Sequence, residues 1–425
     1  MLRFIAIPAL CCGLVVGIVL SRPGGQHYPT AKMVLRVRGL VTSLTFSADG
    51  KRIFALRNNL CQQFDPKSGR VISTWPFTTG PFGSRDVAQF TPDGSSLILV
   101  KAEKSLPDRN VAMPFLDSVG KPLGKGFRKH LVKVSTIQSS MSSFDTDTGK
   151  LRWKRMVPIG DAGRNFDSPL LRYVSNQHIF VKCHELVFDK AESKRSLLRF
   201  DLSNKARFDS FKSSDFGWNL SDGDLFKDDG SWLAPKTVAS QDSVELQLSD
   251  PNMARGPEAQ RYEVRPGTSA EDVWHPLVLD GQEKLLAGVL NAPPSPYSFS
   301  NESVRLYVWD AQSQIKWTDD QHNFAVSALA FSPDNRFLAL AGTDWTTSSK
   351  APDGRLLVYD VSTGKVVKEL LDRPQLSYLQ RRWNDYQEIR TRDFTGPAQQ
   401  LVWSPDSQRL AATYSSYGFR VWQIR

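Results

Sequence analysis

A chain of 425 residues with 40% hydrophobic and 23% charged side chains is too apolar to stay disordered and long enough for a large core, so it folds as a globular protein. Its formal net charge of +10 favours weak association with anionic surfaces without implying specificity, and of its four cysteines only Cys61 and Cys183, about 120 residues apart, lie outside the N-terminal apolar run, too few for a disulfide framework or a metal cluster.

The chain opens with Met1-Leu2-Arg3 and then an uncharged run, Phe4 to Leu20, of about 17 residues, the short end of what spans a bilayer as a helix. The run is apolar all round and stops at Pro23-Gly24-Gly25, which separates it from an amphipathic core helix and from the fold that follows. Residues 1–25 therefore read as a signal-anchor helix. A cleaved signal peptide is the alternative, with Val19 and Ser21 near a cleavage site; a lipoprotein signal is disfavoured because Leu10 precedes Cys11. Either main reading puts the rest of the chain on the extracytoplasmic side of a membrane. Arg22, Lys32, Arg36 and Arg38 weaken that orientation bias.

"KMVLRVRG", Lys32 to Gly39, alternates apolar and basic residues as a half-buried strand does. From Phe46 onward one pattern recurs: an apolar strand, a polar turn, and a second apolar strand. Its clear copies are "FSADGKRIFAL", "FTPDGSSLILV" from Phe90, "FSPDNRFLALAG" from Phe331 and "WSPDSQRLAAT" from Trp403; looser ones start at Tyr173, Phe226 and Val278. In the turns Pro fixes φ and Asp accepts from the turn's own amides. A second hairpin follows each copy, as in "CQQFDPKSGRVIST", "MSSFDTDTGKLRWKRM" and "LLVYDVSTGKVVKEL". The seventh unit ends with the chain at "FRVWQIR" and lacks a fourth strand. Lys32–Gly39 can supply it. Seven four-stranded units closed in this way, with no open edge at the seam, describe an all-β, seven-bladed β-propeller in a single domain over residues 30–425.

The sixth unit, "HNFAVSALAFSPDNRFLALAG" followed by "DGRLLVYDVSTGK", resembles a WD40 repeat, with Tyr359-Asp360 in the Trp-Asp place. The resemblance implies that His322 and Asp353 belong to a buried hydrogen-bond network holding the blade together, and that the protein is an interaction platform without catalysis. The other units lack the Gly-His pair, and their spacing of roughly 55 residues exceeds the usual 40 to 45. "FDTDTGKLRWKR", Phe144 to Arg155, with a partial copy at Trp309 to Trp317, is similar instead to pyrroloquinoline-quinone-type propeller repeats, whose Trp packs between neighbouring blades. A quinone-dependent oxidoreductase with an axial site would need that Trp in most blades.

Nucleotide-binding, zinc-protease, serine-hydrolase and Cys-x-x-Cys motifs do not occur. Asp222, Asp224, Asp228 and Asp229 invite a calcium reading, but the repeat alignment splits them across a hairpin. No catalytic, cofactor or metal residues are expected.

Three interruptions of the repeat carry the remaining signals. Lys121, Lys125, Arg128, Lys129 and Lys133 crowd the insertion 102–136 and could meet a polyanion; the extracytoplasmic address and the lack of interleaved aromatics argue against nucleic acid. Thr343 to Pro352 is a polar hairpin extension. Between the sixth and seventh units, Leu376, Leu379, Trp383 and Tyr386 form a helical stripe flanked by Arg381 and Arg382, which reads as a partner-docking helix or as a stripe packed on the rim. The expected protein is thus a monomeric, membrane-anchored or exported binding scaffold, with a structural envelope component as a further alternative.

Overall fold

The computed structural model describes residues 28–77, 87–105, 109–113, 130–157, 161–162, 170–187, 192–202, 207–212, 225–227, 229, 231–239, 244–249, 260–264, 276–291, 303–322, 324–344, 353–370, 398–414 and 418–425. Residues 1–27, with the expected apolar helix, lie outside them. Among the described residues no helix is long and apolar enough to cross a membrane.

The described regular structure is all β. After β1 (Lys32–Val37), the first sheet is β2 (Ser43–Phe46), β3 (Ile53–Arg57), β4 (Leu60–Phe64) and β5 (Val71–Pro76). The second holds β6 (Val87–Phe90), β7 (Ser96–Ser105), β8 (Arg109–Met113), β9 (His130–Asp145), β10 (Leu151–Val157) and β11 (Asp161–Ala162), with β8 and β11 paired to the far end of β9. The third is β12 (Leu170–Val174), β13 (His178–Val187), β14 (Glu192–Asp201) and β15 (Arg207–Lys212); the fourth is β16 (Leu225–Phe226), β17 (Trp232–Ala239), β18 (Val244–Ser249) and β19 (Gln260–Val264). The fifth is β20 (Leu277–Leu279), β21 (Leu286–Asn291), β22 (Ser303–Trp309) and β23 (Ile315–His322); the sixth is β24 (Phe324–Phe331), β25 (Phe337–Asp344), β26 (Asp353–Asp360) and β27 (Lys365–Leu370). In the seventh, β28 (Gln400–Trp403), β29 (Arg409–Tyr414) and β30 (Gly418–Gln423) are joined by β1, which runs antiparallel to β30 from Lys32 opposite Gln423 to Val37 opposite Phe419.

Part of the insertion expected at 102–136 is strand rather than loop, because β7 and β9 continue their pairing outward and β8 doubles back on β9.

The first strands of successive sheets lie side by side, β2 on β6, β6 on β12, β16 on β20, β20 on β24, β24 on β28 and β28 back on β2. Third and fourth sheets meet through Phe180 against Phe226, ring centroids 4.6 Å apart. The core is correspondingly divided into clusters that each straddle two neighbouring sheets. Leu338 and Leu340 of β25 pack with Leu306 and Val308 of the fifth sheet, while Ala339 and Ala341, on the other side of the same strand, pack with Trp403, Leu410 and Trp422 of the seventh. A strand covered on both sides reads as a continuous apolar run, which is why "FLALAG" and "RLAATY" do not alternate. Burying each Leu in such a strand is worth about 1.5–3 kcal/mol, so the inner strands carry the stability of the ring.

One irregularity repeats in the outer strands. A β-bulge at Ile72, Arg152, Lys316 and Val367 follows the third turn of the first, second, fifth and sixth sheets. Gly69, Gly149 and Gly364 hold the left-handed position before it, and Ser313 takes that conformation in the fifth sheet at φ 62°. The bulge rotates the outer strand, and in the first, second and fifth sheets a tryptophan, Trp75, Trp153 or Trp317, follows it.

Candidate functional site

In a four-stranded antiparallel unit the first and third turns leave at one edge, and the second turn and the connection to the next unit at the other. Applied around this molecule, that rule separates two unequal faces. The first turns (47–52, 91–95, 175–177, 227–231, 280–285, 332–336, 404–408) and most third turns (65–70, 146–150, 202–206, 310–314, 361–364) are short, the stretch 250–259 being the exception. Long segments such as 106–129, 213–224, 265–276, 292–302 and 371–399 all join strand ends at the opposite face.

The described turns of the turn face are capped by their own side chains. Each turn first satisfies itself. Asp334 accepts from Ser332 Oγ (2.7 Å) and Arg336 N (3.2 Å), Asp406 from Ser404 Oγ (2.5 Å) and Gln408 N (3.1 Å), and Asp49 from Ser47 Oγ (2.5 Å) and Lys51 N (3.0 Å). Asp360, in the third turn of the sixth sheet, accepts from Ser362 Oγ (2.5 Å) and from Ser362 and Thr363 N (both 3.0 Å), and these bonds, the hydroxyl first, hold its carboxyl below the usual range. Asp145 makes the same turn with an added arginine: Arg152 Nη2 at 2.6 Å is the main reason its pKa falls to about 2. Of the four aspartates in the calcium reading, Asp229 accepts from Ser231 N (2.8 Å) and Oγ (2.6 Å) as a turn cap. Asp222, Asp224 and Asp228 lie outside the described residues.

Neighbouring turns are then tied to one another. Asp93 N donates to Asn176 Oδ1 (3.1 Å), Lys227 pairs with Glu283 (2.6 Å), and Asn335 Nδ2 donates to Asp280 Oδ2 (2.5 Å). Asp334 N donates to Ser407 Oγ (3.2 Å) and Arg409 Nη2 to Gly50 O (2.9 Å), and Arg52 pairs with Asp147 (2.5 Å). Among the described residues these links tie six of the seven junctions between neighbouring sheets and engage many of the polar groups of this face.

Two tryptophans reinforce the ring from outside. Trp317 of β23 donates Nε1–H to Val361 O (2.9 Å), lies on Gly364 of the next sheet's third turn, and stacks on Tyr359 with centroids 5.6 Å apart at 18°. Trp75 of β5 repeats this on the second sheet, donating to Thr146 O (3.1 Å) over Gly149. A Cβ on either glycine would strike the indole. Trp153, which begins the same docking from the second sheet, packs against the third-sheet cluster with Leu202.

The WD40-type residues fall as follows. Tyr359 is fully buried, donates its hydroxyl to Asp319 Oδ2 (2.7 Å) and accepts from Gln321 Nε2 (3.2 Å); Gln321 also donates to Asp319 (2.6 Å). Burial first, then the Asp319 charge, holds the Tyr359 phenol well above its ordinary pKa. Asp319 and Gln321 belong to β23, so this network bonds the fifth sheet to the sixth. Neither residue was expected from sequence, although Trp317, Asp319 and Gln321 stand at the period of 2 that puts them on one side of a strand. His322 ends β23 opposite Ser303, and Asp353 begins β26 opposite Asp344, both at strand ends on the face of the long connections. Lys133 sits in β9 opposite Asn110. Lys121, Lys125, Arg128, Lys129 and the stripe Leu376, Leu379, Arg381, Arg382, Trp383, Tyr386 lie outside the described residues. Among the described residues no three His, Cys, Asp or Glu side chains converge as a metal ion would need.

The family model of the WD domain, G-beta repeat, matches residues 313–360. That span covers β23, β24, β25 and β26, the outer strand of one sheet with the three inner strands of the next, so the sixth unit is WD40-like and the sequence repeat runs one strand out of phase with the sheets. The same offset leaves β1 at the start of the chain to complete the seventh sheet. No curated protein matches the chain. Among solved structures, the Myceliophteria thermophila Cps50 (Swd1) β-propeller domain is similar at 12% identity and a TM-score of 0.48, over 93% of this chain and 100% of that one. U3-55K is similar at 9% identity and a TM-score of 0.48, over 94% of this chain and 100% of that one.

Proposed function

We propose that residues 30–425 form a single seven-bladed WD40-like propeller, closed by β1, that acts as a non-enzymatic protein-binding scaffold. Residues 1–25 anchor it to a membrane or direct its export, with the propeller on the extracytoplasmic side. The observation that carries the binding reading is the inequality of the faces: turns that cap themselves and each other on one side, and long connections leaving the other. Large aromatics and arginines dominate protein interfaces, and the segment 371–399 on the open face supplies Trp383, Tyr386, Arg381 and Arg382. The WD40-like unit supports the same reading by analogy of fold.

The test is purification of the full chain with its bound partners from detergent-solubilised membranes, followed by mass spectrometry. Shortening 345–352, or combining Leu379→Asp with Trp383→Ala, is expected to release the partner while the circular dichroism of the ring is kept. Asp147→Ala and Lys227→Ala on the turn face are expected to retain it. The reverse pattern would refute the assignment of faces. An absorbing cofactor in the purified protein, or turnover with added quinone and Ca²⁺, would overturn the non-enzymatic reading.

A further inference from the structure

The first described residues do not hang free of the ring. Pro29 O accepts from Glu369 N (3.0 Å) and Ala31 N donates to Glu369 O (3.3 Å), so residues 29–31 run parallel along the outer edge of β27 before the chain enters β1. Tyr28 lies close enough to Asp319, Arg355 and Glu369 for their charges to act on its hydroxyl. Only residues 21–28 separate this strap from the apolar run ending at Leu20. At about 3.3–3.6 Å per residue, eight residues reach roughly 29 Å at most. A chain anchored by residues 4–20 must therefore hold the rim between its sixth and seventh sheets close to the bilayer.

The adjoining rim suits such a neighbour. β1 is the outermost strand of the seventh sheet, and Lys32, Arg36 and Arg38 along it are exposed. The third turn of the first sheet rests on the same strand, with Gly69 against Leu35, which adds Arg70, also exposed. Directly after it stand Val71 and Ile72, 50% and 53% exposed, two of the most exposed large apolar side chains among the described residues. The bulge at Ile72 turns both outward. The one acid of that turn, Asp65, faces its own loop, accepting from Lys67 N and Ser68 Oγ at 2.8 Å each. Cations beside protruding aliphatic tips fit a surface of anionic headgroups over acyl chains.

We infer that the rim formed by β1 and the start of β5 docks on the anionic lipid surface of the membrane that holds residues 4–20. The inference rests on the proposed membrane anchor. Docking fixes the ring edge-on, with both faces perpendicular to the bilayer and the connection face open to partners from the side.

The test uses the full chain in vesicles of phosphatidylcholine alone or with phosphatidylglycerol, with headgroup-borne quenchers and a fluorescent amino acid at position 72 or, as reference, at Arg261 on the outer strand of the fourth sheet. Position 72 is expected to be quenched more strongly than 261 in anionic vesicles. That excess should vanish in the Arg36→Glu/Arg38→Glu/Arg70→Glu variant, each basic residue near such a surface being worth roughly a fivefold factor in docked population. Carbonate-resistant association with equal quenching at 72 and 261 overturns the docking inference and leaves the anchor standing. An excess at 72 that is the same in neutral vesicles, or that survives charge reversal, also overturns it. Release of the chain by carbonate refutes the anchor itself.

Discussion

If Trp317 is a clamp between the fifth and sixth sheets, removing it and obstructing its seat must not be independent events. A fully buried Trp cut to Ala costs about 3–5 kcal/mol; Trp317 is half-buried, so roughly half of that, about 2 kcal/mol, is expected from lost contacts. The Val361 carbonyl also loses its donor, adding about 1 kcal/mol. Gly364→Ala is costly for two separable reasons. Its φ of +68° disfavours any side chain by about 1–2 kcal/mol. Its new Cβ would lie 2.8 Å from Trp317 Cγ, a contact that must be relieved by moving the ring, for roughly another 1–3 kcal/mol. In a Trp317→Ala background only the first cost remains. A double-mutant cycle by urea unfolding, followed by far-ultraviolet circular dichroism so that the lost indole does not distort the signal, should return a coupling of about 1–3 kcal/mol. Additivity within about 0.5 kcal/mol would show that the indole does not depend on this seat, and the clamp would have to be abandoned.

Gly418→Ala should open the seam, because Gly418 has φ +94° and a Cβ there would strike Val37 O of β1; the expected result is faster proteolysis within residues 28–40 while the inner strands keep their hydrogen-exchange protection. Tyr359→Phe strips Asp319 of one of its two donors, with an expected loss of about 1–3 kcal/mol in the same urea assay. Burial pushes Tyr262 from near 10 up to about 12, so the folded state keeps its proton where the unfolded chain gives it up; stability should fall as pH rises from about 10 to about 12, and Tyr262→Phe should flatten that fall. Asp145 works in the opposite sense, its pKa of about 2 meaning that its contribution is present above about 4 and lost as pH falls toward 2, a loss that Asp145→Asn should remove from an acid titration.

Much of this architecture was legible because the repeated hairpins carry their reasons locally. Ser332-Pro333-Asp334 and Ser404-Pro405-Asp406 specify the same turn by the same bonds wherever they fall. The expectation for β1 followed from counting strands and finding "FRVWQIR" one short. What sequence reading missed is lateral. That Asp319 serves Tyr359, or that Asn335 reaches Asp280, depends on which sheets become neighbours, and residues about 40 or 55 positions apart bear no local mark of it. The bulges escaped for a related reason, since an inserted residue shows only once the partner strand's register is known. The strap at 29–31 is pure backbone pairing and leaves no pattern in its side chains.

The confinement of nearly all long connections to one face has a physical cause in these lateral links. A first turn such as 332–336 is bonded to the turns on either side, so lengthening it forfeits links in both directions, each worth about 0.5–1.5 kcal/mol, and exposes the ends of inner strands. A connection on the opposite face pays mainly loop closure, which grows by only about 0.6 kcal/mol for each doubling of length. Insertions are therefore tolerated at 106–129 or 371–399 and resisted at 332–336. The junction of the fourth and fifth sheets carries both kinds of link, Lys227 to Glu283 between first turns and Gln260 Nε2 to Ser313 Oγ (3.1 Å) from β19 to the short third turn of the fifth sheet. Gln260→Ala together with Lys227→Ala should then loosen this junction, which faster hydrogen exchange at β18 and β22 would detect; unchanged protection would mean that the lateral links do not govern where this ring accepts added chain.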